Sequence, residues 1–234
     1  MPRVLLRVAL AGLGLAIECA AQPAAPPKVL LLVRQQFKPA KSHARERLER
    51  ATAALYNRLE VPVYWMEMQA FTGPAEALFF DPFDSFEAVE KAGAALGPLY
   101  AANPDLVRFQ AGINDALSSE TNILAVRRDS AGVEKINLAQ ARFLRMLVIE
   151  LNPGETQPGD DSPHAENAVV YQVKSGMPGP ALLMFQPMSS LTEVPAIHVT
   201  AGTIVEDTVY AIEPQLSHVS RAFAEQDSEF WIKQ

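Results

Sequence analysis

VPVYWMEMQAFTGPAEALFFDPFDSFEAV, residues Val61–Val89, occurs in this chain twice. Its second version is Asn167–Val194, NAVVYQVKSGMPGPALLMFQPMSSLTEV. Gly73-Pro74 corresponds to Gly179-Pro180, each after a strand-like run. Asp81-Pro82-Phe83-Asp84-Ser85-Phe86 corresponds to Gln186-Pro187-Met188-Ser189-Ser190-Leu191. The offset is 106 at the first match and 105 at the second, a slip of one residue in the strand between them. Two copies of one strand–turn–strand–helix unit therefore set the architecture.

Working outward from the first copy, Lys28–Phe37 reads as a strand whose first half is apolar on both faces, as an interior strand requires. Ala44, Leu48, Ala51, Leu55 and Leu59 follow helical spacing after Pro39. Val61–Ala70 is the next strand, Thr72-Gly73-Pro74 a turn, and Ala75–Phe80 the hairpin partner. Ser85 is placed to cap a helix carrying Phe86, Val89, Gly93 and Leu96, which Gly97-Pro98 should disturb. Asn103 and Pro104 open another helix as cap and first residue, and Thr121–Arg127 is a fourth strand. The order β-α-β-β-α-β is the split βαβ, or ferredoxin-like, arrangement, with usual strand order 4-1-3-2.

The second copy is shorter. Phe143–Leu151 matches the opening strand, and Thr208–Pro214 the closing one. Gly154–Glu166 carries Pro, Gly and acidic residues where the first copy has a long helix. Thr192–Asp207 spans 16 residues against 34 for Glu87–Glu120, so its second helix must be short or absent. The fold class expected is α+β: two tandem ferredoxin-like units in a pseudo-dimeric α/β barrel, the second with reduced helices. Unit 1 takes residues 28–128, the connection 129–142, unit 2 143–214 and a C-terminal tail 215–234. The tail's Phe230-Trp231 need somewhere to dock. A sheet face left bare by the missing helices would invite a partner, and a homodimer through unit 2 is expected on that ground.

Residues 1–21 differ from the rest. Arg3 and Arg7 precede a short apolar run, and Cys19-Ala20-Ala21 offers small residues for a cut before Gln22. This is the pattern of a secretory signal peptide, too short to span a bilayer well, and it implies a secreted or periplasmic protein. Glu18 before Cys19 argues against a lipoprotein signal. Gln22–Pro27 then reads as a mobile Pro/Ala linker. Cys19 is the sole cysteine, so the mature chain has no thiolate and no disulfide. Taking Arg3, Arg7 and Glu18 from the 20 basic and 27 acidic residues leaves 18 and 26, a net charge of −8. Such a chain is a poor partner for nucleic acid or for anionic membranes.

Catalytic motifs are scarce. His43, His164, His198 and His218 lie in separate segments without zinc-ligand spacing, so no metal is expected. Asp160-Asp161 with His164 reads as a solvated turn, since calcium loops need more oxygen ligands at regular spacing. No G-x-S-x-G elbow is present. Along Val61–Ala70 the Tyr64, Met66 and Met68 face is the more uniformly apolar, which suits helices. That choice puts Trp65, Glu67 and Gln69 inside the barrel, with Tyr171 opposite by the repeat. An aromatic pair beside a carboxylate would hold a flat or cationic ligand, and a buried Glu67 would have a raised pKa suited to a base. The alternative left open is that Trp65 and Tyr171 are core and Glu67 pairs with Arg34 or another cation.

The paired units resemble the dimeric α/β-barrel superfamily, which includes antibiotic-biosynthesis monooxygenase-like and NIPSNAP-like domains. From Lys28 onward the chain is similar to secreted bacterial proteins with this tandem plan, which end in a segment like Leu216-Ser217-His218-Val219 and Phe230-Trp231. The resemblance implies two sheets joined into a barrel. The superfamily's oxygenases act on aromatic or conjugated substrates inside it, without a metal or with haem. Haem-degrading members use Asn, Trp and His together; no spacing here reproduces that set, so no catalytic residue carries over and no cofactor is expected. Two functions follow: a small-molecule-binding or protein-interaction module of the cell envelope, or a cofactor-independent monooxygenase-like enzyme with its site around Trp65 and Glu67.

Overall fold

Eight antiparallel strands close on themselves in the order β1-β3-β2-β8-β5-β7-β6-β4. The structure is a computed structural model describing residues 25–128, 136–152, 167–194 and 202–233. The signal segment, Asp160, Asp161, His164 and His198 lie outside the described residues. In chain order the first half is β1 (Val29–Phe37), α1 (Ser42–Leu59), β2 (Met66–Ala70), β3 (Glu76–Phe83), α2 (Phe86–Ala102), α3 (Pro104–Ala116) and β4 (Leu117–Arg127). The second half is β5 (Phe143–Glu150), β6 (Val169–Ser175), β7 (Ala181–Met188) and β8 (Thr203–Ile212). Two short tail helices follow, α4 (Arg221–Ala224) and α5 (Ser228–Trp231). Strand order within the first half is β4-β1-β3-β2, and within the second β8-β5-β7-β6. The halves join where Met68–Ala70 meets Tyr210–Ile212, and where Leu124–Arg127 meets Tyr171–Ser175.

An eight-stranded barrel leaves an interior just wide enough for side chains to fill. Here Leu30, Leu32, Met66, Met68, Leu78 and Phe80 from the first half meet Leu144, Met146, Tyr171, Leu183, Phe185 and Tyr210 from the second. Phe80, Tyr171 and Phe185 pack edge to face, with ring centroids 5.4–6.4 Å apart. Leu138, Ala139 and Phe223 join this core at the end where β1 begins. Pro27 docks there too: its carbonyl accepts the Tyr171 hydroxyl at 3.0 Å, and Pro26 and Pro27 are buried. The expected mobile linker is thus docked over its last residues.

Local signals place most elements. The Ser85 side chain caps α2, accepting from Ala88 N–H at 3.2 Å. Pro104 is the first residue of α3, but Asn103 donates to the Leu99 carbonyl instead of capping. The helix α2 runs through Gly97-Pro98 to Ala102 on an exposed surface. On α1 the sheet-facing residues are Arg45, Glu49, Ala53 and Tyr56, while Leu48 faces Gly112 of α3 and Leu59 is exposed. Between β7 and β8 the described residues hold one 3-10 turn, Leu191–Glu193.

The outer face of the second half departs from expectation. Leu147, Ile149, Leu182 and Met184 are at most 1% exposed, and Val170 is buried with them. Among the described residues Ile204 and Val205 of β8 remain exposed.

The β6–β7 turn depends on one glycine. Gly176 has φ +95°, and a Cβ there would stand 2.0 Å from the Asn122 carbonyl oxygen of β4. Gly176→Ala combines a backbone conformation costing about 1–3 kcal/mol with overpacking of about 1–3 kcal/mol. A loss of about 2–6 kcal/mol in urea unfolding is expected. Gly93→Ala, in exposed helix with open space around it, should instead gain about 0.5–1 kcal/mol.

Candidate functional site

Trp65, Glu67 and Gln69 share one face, but it is the outer one. Met66 and Met68 point into the barrel core, and Trp65 packs with Tyr56, Ala53 and Leu106 beneath the helices. The expected assignment of faces is reversed. The reason is charge and size: the filled interior takes compact apolar side chains, and the cation that Glu67 needs comes from α1. Arg45 Nη2 donates to Glu67 Oε1 at 2.7 Å, with both side chains fully buried. Arg45 Nε donates to Gln35 at 3.2 Å, and its guanidinium lies 4.6 Å from the Phe37 ring centroid. Glu49, one turn on, is 3.6 Å from Arg45.

Burial pushes Glu67 well above the usual carboxylate range, against the pull of Arg45. It pushes Glu49 up to about 7, again opposed by Arg45 and reinforced by Glu120. The raised Glu67 pKa was legible; a base role was not, because this carboxylate faces a helix and no solvent reaches it. Gln69 is half-buried, 3.5 Å from Glu46 on α1. Tyr171 lies on the other side of the sheet, inside the barrel. The four expected ligand residues are therefore not brought together.

Arg34, the partner first considered for Glu67, serves another cluster. It donates to both Glu206 oxygens at 2.9 and 2.8 Å and to Glu76 at 2.8 Å. The Tyr210 hydroxyl also donates to Glu76. Arg34 and Glu76 belong to the first half and Glu206 and Tyr210 to β8, so the cluster clamps the short β2–β8 junction.

What the sequence reasoning missed is how the tail uses β2. The strand was expected from Val61; its ladder begins at Met66, with Trp65 bridged to His218. Trp65 N–H donates to the His218 carbonyl at 2.8 Å, and His218 N–H returns to Trp65 at 3.0 Å. The Trp65 indole donates to the Leu216 carbonyl at 2.9 Å. Ser217 Oγ accepts from Glu67 N–H at 2.9 Å and donates to the Glu213 carbonyl at 2.8 Å. His218 Nε2 lies 2.7 Å from the Val61 carbonyl, which can only accept, so Nε2 carries a proton. Nδ1 is 2.6 Å from the Asn57 side-chain amide. Burial lowers the His218 pKa, and the Tyr56, Tyr64 and Trp65 rings surround it at 5.2–5.6 Å. Leu216-Ser217-His218-Val219 had been singled out in the sequence; its partner 151 residues away had no sequence signal.

This latch leaves a groove of about 540 Å³ between the end of α1, the entry to β2 and the tail. Tyr64, His218, Ser220, Trp231 and Ile232 line it, with Glu60 at its α1 side. The size falls within that of small-molecule sites. A second hollow, about 290 Å³, lies beside Glu150, Pro180 and Thr203. Among the described residues no group of three or more His, Cys, Asp or Glu is placed to hold a metal ion. No helix among them is long and apolar enough to cross a membrane.

No family model matches the sequence, and no curated protein matches it. Solved structures do. An anthrone oxidase-like protein matches with TM-score 0.46 and 14% identity over 82% of this chain and 94% of that one. A mutant chlorite dismutase from Candidatus Nitrospira defluvii gives 0.46 and 8%, over 81% and 92%. A dye-decolorizing protein from V. cholerae gives 0.42 and 11%, over 85% and 97%. At these scores and identities no activity crosses from them to this chain.

Proposed function

We propose that this chain is an exported tandem of two ferredoxin-like units, the second with reduced helices, that binds a small molecule in the groove beside His218. The tandem reading draws on the repeated hairpin and on the same strand order in both halves. It sets the chain beside the antibiotic-biosynthesis monooxygenase-like and NIPSNAP-like proteins. Export rests on the pattern of residues 1–21. The observation that carries binding is where the room lies. The barrel interior is filled by side chains, while an open groove with aromatic walls and hydrogen-bonding edges lies outside it. The oxygenase reading places substrate inside the barrel, where Phe80, Tyr171 and Phe185 already pack on one another.

The test is an aromatic-fragment screen followed by ¹H–¹⁵N NMR. Shifted amides should cluster at Tyr64, at Ser217–Arg221 and at Trp231–Ile232. Ile232→Trp, at an exposed position on the groove, should remove those shifts by filling it. Shifts confined to the amides of Phe80, Tyr171 and Phe185 would move the site into the barrel and restore the oxygenase.

A further inference from the structure

Glu60 lines the groove, and among the described residues no ion pair or side-chain hydrogen bond engages its carboxylate. It follows the last residue of α1 at φ 51°, in the left-handed region, with its N–H bonded to the Asn57 and Tyr56 carbonyls. Asn57, Glu60 and Val61 belong to the C-terminal end of α1, the negative end of its dipole, and they edge the groove. Among the described lining residues the cation is Arg221, which is paired with Glu225 at 2.7 Å. Arg58, exposed in the last turn of α1, is not among the lining residues. Burial lowers the His218 pKa, which disfavours a charge on its ring.

The apolar walls fit the same sign. Tyr64 leans on His218 at 5.3 Å with an interplanar angle of 32°. Trp231 is held by its indole N–H on the Ala139 carbonyl at 2.8 Å and by edge contacts with Phe223 and Phe230. Two anchored aromatic rings and an unpaired carboxylate suit a cation carried on an apolar body.

We propose that the ligand of this groove is a small organic cation: an amine or quaternary ammonium with an apolar or aromatic body. Glu60 and the α1 carbonyl end face its charge, and Tyr64 and Trp231 its carbon skeleton. The proposal rests on the groove being the binding site.

Three probes of similar shape separate the two ideas: benzyltrimethylammonium, benzyl alcohol and phenylacetate. Each is titrated into the full mature chain and followed by the Tyr64, Ser220 and Ile232 amides. The ammonium should bind at least five-fold more tightly than the alcohol, and phenylacetate should not bind. Glu60→Gln, an exposed substitution that keeps shape and backbone, should weaken the ammonium five-fold or more while leaving the thermal midpoint unchanged. Raising salt from 0.05 to 0.5 M, a change that shortens the screening length severalfold, should weaken it too. If alcohol and ammonium bind alike, or if Glu60→Gln changes nothing, the charge preference is wrong and the groove reading stands. If no probe shifts these amides, both fall.

Discussion

Arg45→Met should destabilise the folded chain by about 3–5 kcal/mol in urea unfolding at pH 7.5, the cost of breaking a buried pair from one side. Arg45 and Glu67 are fully buried, and Glu49 is 5% exposed. Methionine fills much of the arginine stem's volume, so the loss reports charge more than packing. What remains is two carboxylates facing each other across the α1–sheet contact. They escape part of the penalty by taking up protons, so the loss should shrink at pH 5. Adding Glu67→Leu to Arg45→Met should recover much of the stability, because the pair is then replaced rather than broken. A single-variant loss under about 0.5 kcal/mol would mean that the pair does not form, since surface substitutions sit in that range. The pair Glu87–Lys91 is the contrast: both partners are exposed, and its removal should be close to silent.

The same cluster shows where sequence reasoning stops. The first hairpin and the start of α2 were legible because their marks are local: a Gly-Pro turn and a strand-to-helix corner with a serine cap. Each follows from the conformations that neighbouring residues allow. The facing of β2 was not legible. Its alternation splits Tyr64, Met66 and Met68 from Val63, Trp65 and Glu67 cleanly, but alternation does not say which side is inside. The more apolar side was given to the helices; the closed barrel, with no room for a charge, takes it instead. The same error displaced the buried stripe of α1. Leu48 and Leu59 looked like its core, while Arg45 and Glu49 are what meet the sheet. A charged pair at helical spacing reads as solvated until a buried carboxylate is known to lie opposite. The groove was hidden for another reason. Its walls come from residues near 60 and residues near 220, and the tail–β2 pairing that joins them is long-range.

Stability should fall as the pH rises from 7 to 9, by about 2 kcal/mol, since each group titrating there contributes up to about 1.4 kcal/mol per pH unit. Two carboxyls have this sign. Burial pushes Asp81 up to about 8, with Oδ1 enclosed and unbonded. It pushes Glu49 up to about 7. Their ordinary values are 3.8 for Asp and 4.5 for Glu. Between those values and the folded ones, the folded chain holds protons that the unfolded chain releases. The stabilisation is therefore whole only below the ordinary values and is lost progressively as the pH climbs from them to the folded pKa values. His218 acts the other way, because its pKa is lowered from 6.5; its contribution fades below that pH and leaves the 7–9 window alone. Asp81 separates the contributions. It faces Tyr56, whose own pKa it helps to raise, and no cation opposes its burial. Asp81→Asn removes the charge while keeping the shape. The variant should be more stable than the parent from pH 6 to pH 9, should approach it only near pH 4, where the unfolded Asp81 also holds its proton, and should show a shallower slope between. A parent whose urea midpoint is flat or rising from pH 7 to 9 would show that these carboxyls are ionised in the folded chain, and that water reaches Asp81 and the Arg45 cluster.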